Sequence, residues 1–130
     1  MFKEEKDYSK LNMQGDIMFK MELEYKNGIL FARLKGILNR KNSYKINNYL
    51  NYVLKKHEIK YLIYNWEGLK SIDNEGLEAL RRSKYYMKCN KGIVRVCGAL
   101  GSLEYLRRYL KIPLINKEID AFKIMEMKKC

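Results

Sequence analysis

Proline, cysteine and long apolar runs are scarce in this chain of 130 residues. One proline and eight glycines leave few places for long irregular linkers. The three cysteines, Cys89, Cys97 and Cys130, form no C-x-x-C pair and no disulfide framework, which favours a reducing compartment. No apolar stretch approaches the roughly 20 residues of a transmembrane helix, and the start, MFKEEKDYSK, lacks the apolar segment of a signal peptide. We therefore expect a soluble, cytoplasmic protein.

Residues that carry catalysis or bind metals are equally scarce. His57 is the single histidine and lies in LKKHEIK, near the end of a predicted helix, where a solvated position is more typical than a ligand or a base. No Ser/His/Asp arrangement, metal-ligand spacing or phosphate-binding loop can be assembled from the chain. The sequence thus predicts a protein that is not an enzyme and that needs no cofactor and no metal.

The chain has an excess of positive charge, and it also has enough hydrophobic residues to fold. Hydrophobic residues make up 47%, enough for the core of one domain, and Lys+Arg 27 against Asp+Glu 15 gives a net charge of +12. The stretch RRSKYYMKCNK (81–91) mixes cations with Tyr85 and Tyr86. It is typical either of a nucleic-acid surface with stacking tyrosines or of the solvated face of a helix, and we favour the second interpretation.

Hydrophobic periodicity predicts one domain of alternating strands and helices. Residues 1–15 show little periodicity and are predicted to be a flexible N-terminal arm, which leaves residues 16–130 for the domain. Alternation in DIMFKMELEY, an Asn-Gly turn and the run ILFARLKGIL predict a β-hairpin. Strand-like runs at 60–66, 92–100 and 112–117 then alternate with four amphipathic patterns, the first capped by Asn42 or Ser43 and the last at 118–129. The expected fold is α/β, a mixed sheet with an N-terminal hairpin and about four helices.

The segment SIDNEGLEAL (71–80) joins the central strand to the second helix. Asp73 can accept hydrogen bonds from the free amides of the first helical turn, and Glu75 adds a second acid that suits the positive helix end. Gly76 lets backbone or a partner approach closely. The pattern is consistent with a helix cap alone or with a binding surface, and the residues leave both open.

From about residue 17 to residue 127 the chain resembles the STAS domain, the fold of bacterial anti-sigma factor antagonists. LFARLKGILN is similar to that family's strand ending in L-x-G-x-L-[DN], and YLIYNWEGLKSIDNEGLEAL to its central strand followed by D-S-S-G-L-x-x-L. GIVRVCGA resembles the next strand, and LEYLRRYLKIPLI the segment that runs to the last strand. The order of elements agrees throughout.

The resemblance implies a regulatory protein-binding module. In the family, the unphosphorylated antagonist binds a serine-kinase anti-sigma factor and releases the sigma factor, and phosphorylation of the serine after the motif's Asp blocks that binding. Here that position is Asn74, followed by Glu75, so we expect no phosphorylation switch at residue 74; Ser71 is the alternative phosphosite. The protein is then either an antagonist that is always competent to bind its anti-sigma factor, or a module that binds another partner, such as a related regulatory kinase-like protein. The partner-binding residues that this implies are Ser71, Asp73, Asn74, Glu75 and Gly76, with Asn39 and Arg40 from the preceding loop.

Two other expectations accompany this interpretation. The alternative function is a basic protein that binds nucleic acid or another anionic surface, and a steep dependence of binding on salt would favour it. We expect no membrane partner, while weak self-association stays open.

Overall fold

In the computed structural model, residues 3–6 and 19–129 are described, with the side chains of residues 19–126. Within these residues, five strands form one sheet in the order of the chain: β1 Lys3–Lys6, β2 Lys20–Lys26, β3 Ile29–Leu38, β4 Tyr61–Ile72 and β5 Ile93–Cys97. The first three strands are antiparallel neighbours, and β4 pairs in parallel with both β3 and β5. The predicted hairpin (β2–β3) and the mixed sheet are therefore confirmed.

In the described part of the chain, four α-helices connect and follow the strands: α1 Asn51–Lys56, α2 Asn74–Cys89, α3 Ser102–Leu110 and α4 Ala121–Lys129. A π-helical turn, Ile46–Leu50, leads into α1, and a 3-10 turn, Glu118–Asp120, leads into α4. The apolar positions predicted for the first helix, Ile46, Leu50, Val53 and Leu54, are all buried, because their spacing places them on the face that meets the sheet. The expectation of about four helices is confirmed.

The sheet separates two apolar layers. On one face, alternate strand residues such as Leu30, Tyr64 and Trp66 pack with side chains from α1, α2 and α3. On the other face, Phe31 and Ile63 and their neighbours pack with Ala121 and Phe122 of α4. Because strand side chains point alternately to opposite faces, one strand sequence supplies both layers.

Two local predictions were wrong, and a third was wrong in one of its alternatives. Residues 112–117 make a single parallel bridge from Leu114 to Val96 instead of a strand, since Pro113 cannot donate a backbone hydrogen bond. The strand predicted at 60–66 continues to Ile72. Its added residues also pair with β3, with two register shifts along the pairing. Of the two predicted caps of the first helix, Asn42 has another role: its side chain bridges the Asn39 amide and the Ile37 carbonyl of the loop, each at 2.8 Å. Ser43 stands at the start of the helical turns, where its carbonyl accepts from the Asn47 amide at 3.2 Å.

The predicted N-terminal arm lies mostly outside the described residues. Of residues 1–15, Lys3–Lys6 form β1 and pair with β2 in antiparallel register. The arm therefore contributes a strand to the edge of the sheet.

Candidate partner-binding site

Asp73 is the residue that joins β4 to α2, and its carboxylate ties two loops together. One oxygen, Oδ1, accepts a hydrogen bond from the Gly76 amide at 2.9 Å, which caps the first turn of α2. The other oxygen, Oδ2, accepts from the Arg40 amide at 2.9 Å, in the loop after β3. The predicted cap is present, and it also fixes the position of the neighbouring loop.

Gly76 lies against the chain's own backbone. It is buried, and a Cβ atom added there would lie 2.7 Å from Leu38 Cγ and 3.0 Å from the Leu38 carbonyl oxygen. The Asp73 amide donates to that same carbonyl at 3.1 Å. The absence of a side chain at Gly76 thus lets the start of α2 pack closely against the end of β3.

Ser71, Asn74 and Glu75 are exposed, and the two at the start of α2 follow Asp73 directly. The parallel pairing of β3 with β4 sets Ser71 beside Ile37, and the loop after β3 begins two residues further on, at Asn39. In that loop Arg40 is exposed, and the half-buried Asn39 accepts from the Lys41 amide through its side chain at 2.9 Å. The fold therefore brings the seven predicted residues to one end of the sheet, with Gly76 and Asp73 holding its shape.

The charges at this end of the molecule are mixed. The free amides at the start of α2 give it a partial positive charge, and Asp73 and Glu75 complement that charge. Further along the helix, the exposed Glu78 pairs with Arg81 at 3.2 Å. Arg40 and Lys41 contribute exposed cations from the loop. Such a surface suits another polypeptide better than a polyanion.

Asn42 is the residue at this site that sequence reasoning placed in the wrong role. Its side chain orders the loop that carries Asn39 and Arg40, and it is itself buried. The signal in the sequence is the pair of asparagines in NRKN, since asparagine side chains commonly bond to backbone groups two or three residues away.

The other candidates do not assemble into a site. His57 is exposed at the end of α1. Cys97 is buried beneath α4, and burial raises the pKa of its thiol to about 11. Among the described side chains, no group of histidine, cysteine and acidic residues could hold a metal ion. Nor does the described part of the chain contain a helix with the length and apolar content to span a bilayer.

Comparison with known proteins agrees with this fold. The family model described as STAS domain matches residues 20–112. The unphosphorylated form of the anti-sigma factor antagonist SpoIIAA has a similar structure, with a TM-score of 0.69, 14% sequence identity, and coverage of 85% of this chain and 99% of that chain. The phosphorylated form of SpoIIAA, a Bacillus cell fate determinant, gives a TM-score of 0.69 at 15% identity, with coverage of 81% and 98%.

The same fold occurs in larger proteins. The murine anion transporter Slc26a9 matches with a TM-score of 0.67 and 12% identity, covering 97% of this chain and 22% of the transporter. At these identities the structural likenesses show the fold, while the family model spans most of the described chain. This chain belongs to the STAS domain family.

Proposed function

We propose that this protein is a non-enzymatic antagonist that binds a serine-kinase-type anti-sigma factor through the start of α2 and so releases a sigma factor. The proposal is supported by membership of the STAS family and by the likeness to anti-sigma factor antagonists along nearly their whole length. The contact surface is the turn of Asp73, Asn74 and Glu75, with Ser71 and the loop of Asn39 and Arg40 beside it.

The observation that carries the proposal is the way Asp73 holds this turn. Its two carboxylate oxygens are both occupied by amides of the chain, from Gly76 and Arg40. Asn74 and Glu75 therefore project from a backbone that is already fixed. A preorganised surface loses little conformational entropy on binding, which favours affinity for a protein partner.

Asn74 makes the interaction independent of phosphorylation at this position. An amide has no hydroxyl that a kinase can modify, yet it keeps the neutral, hydrogen-bonding character of an unmodified serine. Glu75 holds its charge next to the positive end of the helix. We infer that the protein is constantly competent to bind.

The test is a kinase assay on the complex. The purified chain is mixed with a serine-kinase anti-sigma factor and ATP, the complex is followed by size-exclusion chromatography, and phosphate is located by mass spectrometry. The wild type should stay in the complex without phosphate. Asn74→Ser should gain phosphate at residue 74 and leave the complex, and Asn74→Ala, the matched control, should do neither.

Two results would contradict the proposal. Failure of the wild type to form any complex would remove the antagonist function. Phosphate at Ser71 that dissociates the wild-type complex would keep that function but show that the switch has moved to Ser71.

A further inference from the structure

The positive charge of this protein is concentrated in one part of the chain. Residues 79–117 contain ten lysines and arginines and one acid, Glu104, so they carry nine of the twelve net positive charges. Glu104 is itself bound by Arg107 and Arg108. This segment forms most of α2, all of β5 and α3, and the chain that follows α3.

The fold gathers four of these cations around one groove of about 260 Å³. The groove lies between the end of α2, the start of β5 and the segment after α3, and Lys84, Lys88, Arg95 and Lys111 line it. None of the described residues that line it is an aspartate or a glutamate. It is therefore a site of one sign of charge.

Two of these cations, Lys84 and Arg95, are held by backbone carbonyls. Lys84 Nζ donates to the Leu110 carbonyl at 2.8 Å and to the Lys111 carbonyl at 3.3 Å, and Arg95 Nη1 donates to the Val94 carbonyl at 2.7 Å. Burial lowers the pKa of Lys84, and the nearby charges of Lys111, Lys88 and Arg81 lower it further. Burial also lowers the pKa of Arg95. A bound anion would relieve this uncompensated charge.

The groove combines an apolar floor with one edge of the sheet. Its surface between the cations is apolar, formed by Met87, Ile93, Val94, Ile112 and Pro113. β5 lies at one edge of the sheet. Its Ile93 amide donates to the carbonyl of Lys60, the residue before β4, at 2.8 Å, so the backbone of Ile93 points into the sheet. The backbone groups of successive strand residues point to opposite sides, so the backbone amide of Val94 points to the open edge. The backbone of Val96 points the same way and already bonds to Pro113 and Ile115.

We propose that this groove binds an acidic, extended segment of another polypeptide. Carboxylates would pair with Lys88 and Lys111 at the rim, and apolar side chains would lie on the floor. A backbone carbonyl of the segment would accept from the Val94 amide, since the Val94 carbonyl already accepts from Arg95. Single-stranded nucleic acid fits less well, because the exposed ring of Tyr85 stands outside the groove and the floor offers no aromatic ring for a base to stack on.

This groove is separate from the turn at Asp73. Asn74 and Lys88 lie near opposite ends of α2, about 21 Å apart along the helix axis at a rise of 1.5 Å per residue. The proposal therefore does not depend on the function proposed for the turn. A partner bound at the turn would leave the groove free to bind an acidic segment.

The test uses a short synthetic peptide of alternating Glu and Val and maps its binding on the isotope-labelled protein by amide chemical shifts. We expect shifts at Gly92–Arg95, Lys111, Ile112 and Leu114, with little change at Ser71–Glu75. A matched peptide of alternating Lys and Val should not bind. Absence of binding by the acidic peptide, or shifts confined to other surfaces, would overturn the proposal.

Two charge-reversal variants separate a defined site from general attraction to a basic protein. The double variant Lys88→Glu with Lys111→Glu should weaken binding by roughly tenfold or more. The control, Lys55→Glu with Lys26→Glu, makes the same change in net charge on exposed lysines elsewhere, and Lys55 also lies in the last turn of its helix. Equal weakening in both variants would overturn the proposal. So would tighter binding of single-stranded oligothymidylate to the same residues, since it would identify the occupant as nucleic acid.

Discussion

At Gly76 a single missing carbon sets how closely α2 approaches the strand beneath it. The helix begins where the Asp73 carboxylate and the Leu38 carbonyl both bind amides of the turn, and Gly76 packs directly on Leu38. The exposed residues Asn74 and Glu75 owe their position to these buried contacts. The local geometry of the binding turn therefore rests on residues that a partner does not need to touch.

We expect Gly76→Ala to destabilise the protein, although the same change in an exposed helix usually stabilises it by about 1 kcal/mol. The added Cβ would lie 2.7 Å from Leu38 Cγ and 3.0 Å from the Leu38 carbonyl oxygen, and the second of these atoms belongs to backbone that cannot move freely. Overpacking of this kind costs roughly 1–3 kcal/mol. The free energy of unfolding in urea measures the effect, and an increase in stability would show that α2 can shift away from β3.

This pair of residues also shows what the sequence could predict at this scale. The cap by Asp73 was predictable because it depends on residues three positions apart, and its second hydrogen bond, to Arg40, was not. Gly76 was expected to admit backbone or a partner, and the identity of its neighbour, Leu38, depends on the register of β3 with β4. Local hydrogen bonds can be read from sequence, whereas contacts between distant segments require the packed sheet.

At the scale of elements, α4 is held on the sheet by an ion network as well as by apolar contacts. Arg33 of β3 binds Glu118 through two nitrogens, Nε at 2.9 Å and Nη2 at 2.8 Å, and its Nη1 binds Glu22 and Glu24 of β2. Asn65 of β4 also donates to Glu118 at 2.8 Å. Since Glu118 begins the 3-10 turn before α4, this network fixes the point at which that helix starts.

The docking of α4 should weaken in acid. Burial acts to raise the pKa of Glu118, but the hydrogen bonds from Arg33 and Asn65 outweigh it and hold that pKa below its ordinary value. A carboxyl whose pKa is lower in the folded state stabilises the fold above its unfolded pKa, about 4.3, and this contribution is lost as the pH falls through the folded value. The protection of the α4 amides against hydrogen exchange, taken relative to the intrinsic exchange rate at each pH, should therefore fall in the wild type below about pH 4.

Two variants assign this effect to Glu118. Glu118→Gln should exchange faster at neutral pH and lose most of the acid-induced change. Glu104→Gln is the control: Arg107 and Arg108 hold the pKa of Glu104 at about 2, but that residue lies on α3, so its removal should leave the α4 profile unchanged. An unaltered acid response in Glu118→Gln would contradict the role given to this network.

On the scale of the whole molecule, the order of elements and the mixed sheet followed from periodicity in the sequence. The hairpin and the apolar face of the first helix were predicted because each depends on a repeating local pattern. The last strand was overestimated, since an apolar run with Pro113 looks like an edge strand until its single bridge to Val96 is seen. The basic groove was not predicted, because its four cations come from three separate elements.

The molecule therefore presents two different surfaces at the two ends of α2. The N-terminal end carries Asp73, Glu75 and Glu78, while the C-terminal half and its neighbours carry the cationic groove. A partner that binds the first surface approaches a fixed turn of mixed charge. Because the two surfaces differ in charge, a negative charge added at one of them should change partner binding at that surface and not at the other.

The most direct test of the account is the affinity of a serine-kinase anti-sigma factor for Asn74→Asp, measured by titration calorimetry against the wild type and against Asn116→Asp. An acid in the first turn of α2 should preserve or raise the stability of the fold by about 0.3–1 kcal/mol, so lost binding would not reflect unfolding. We expect Asn74→Asp to bind at least roughly tenfold more weakly, as a charge placed in a contact surface should. The exposed Asn116→Asp should bind like the wild type. Equal affinities for all three proteins would show that the partner does not bind at the turn.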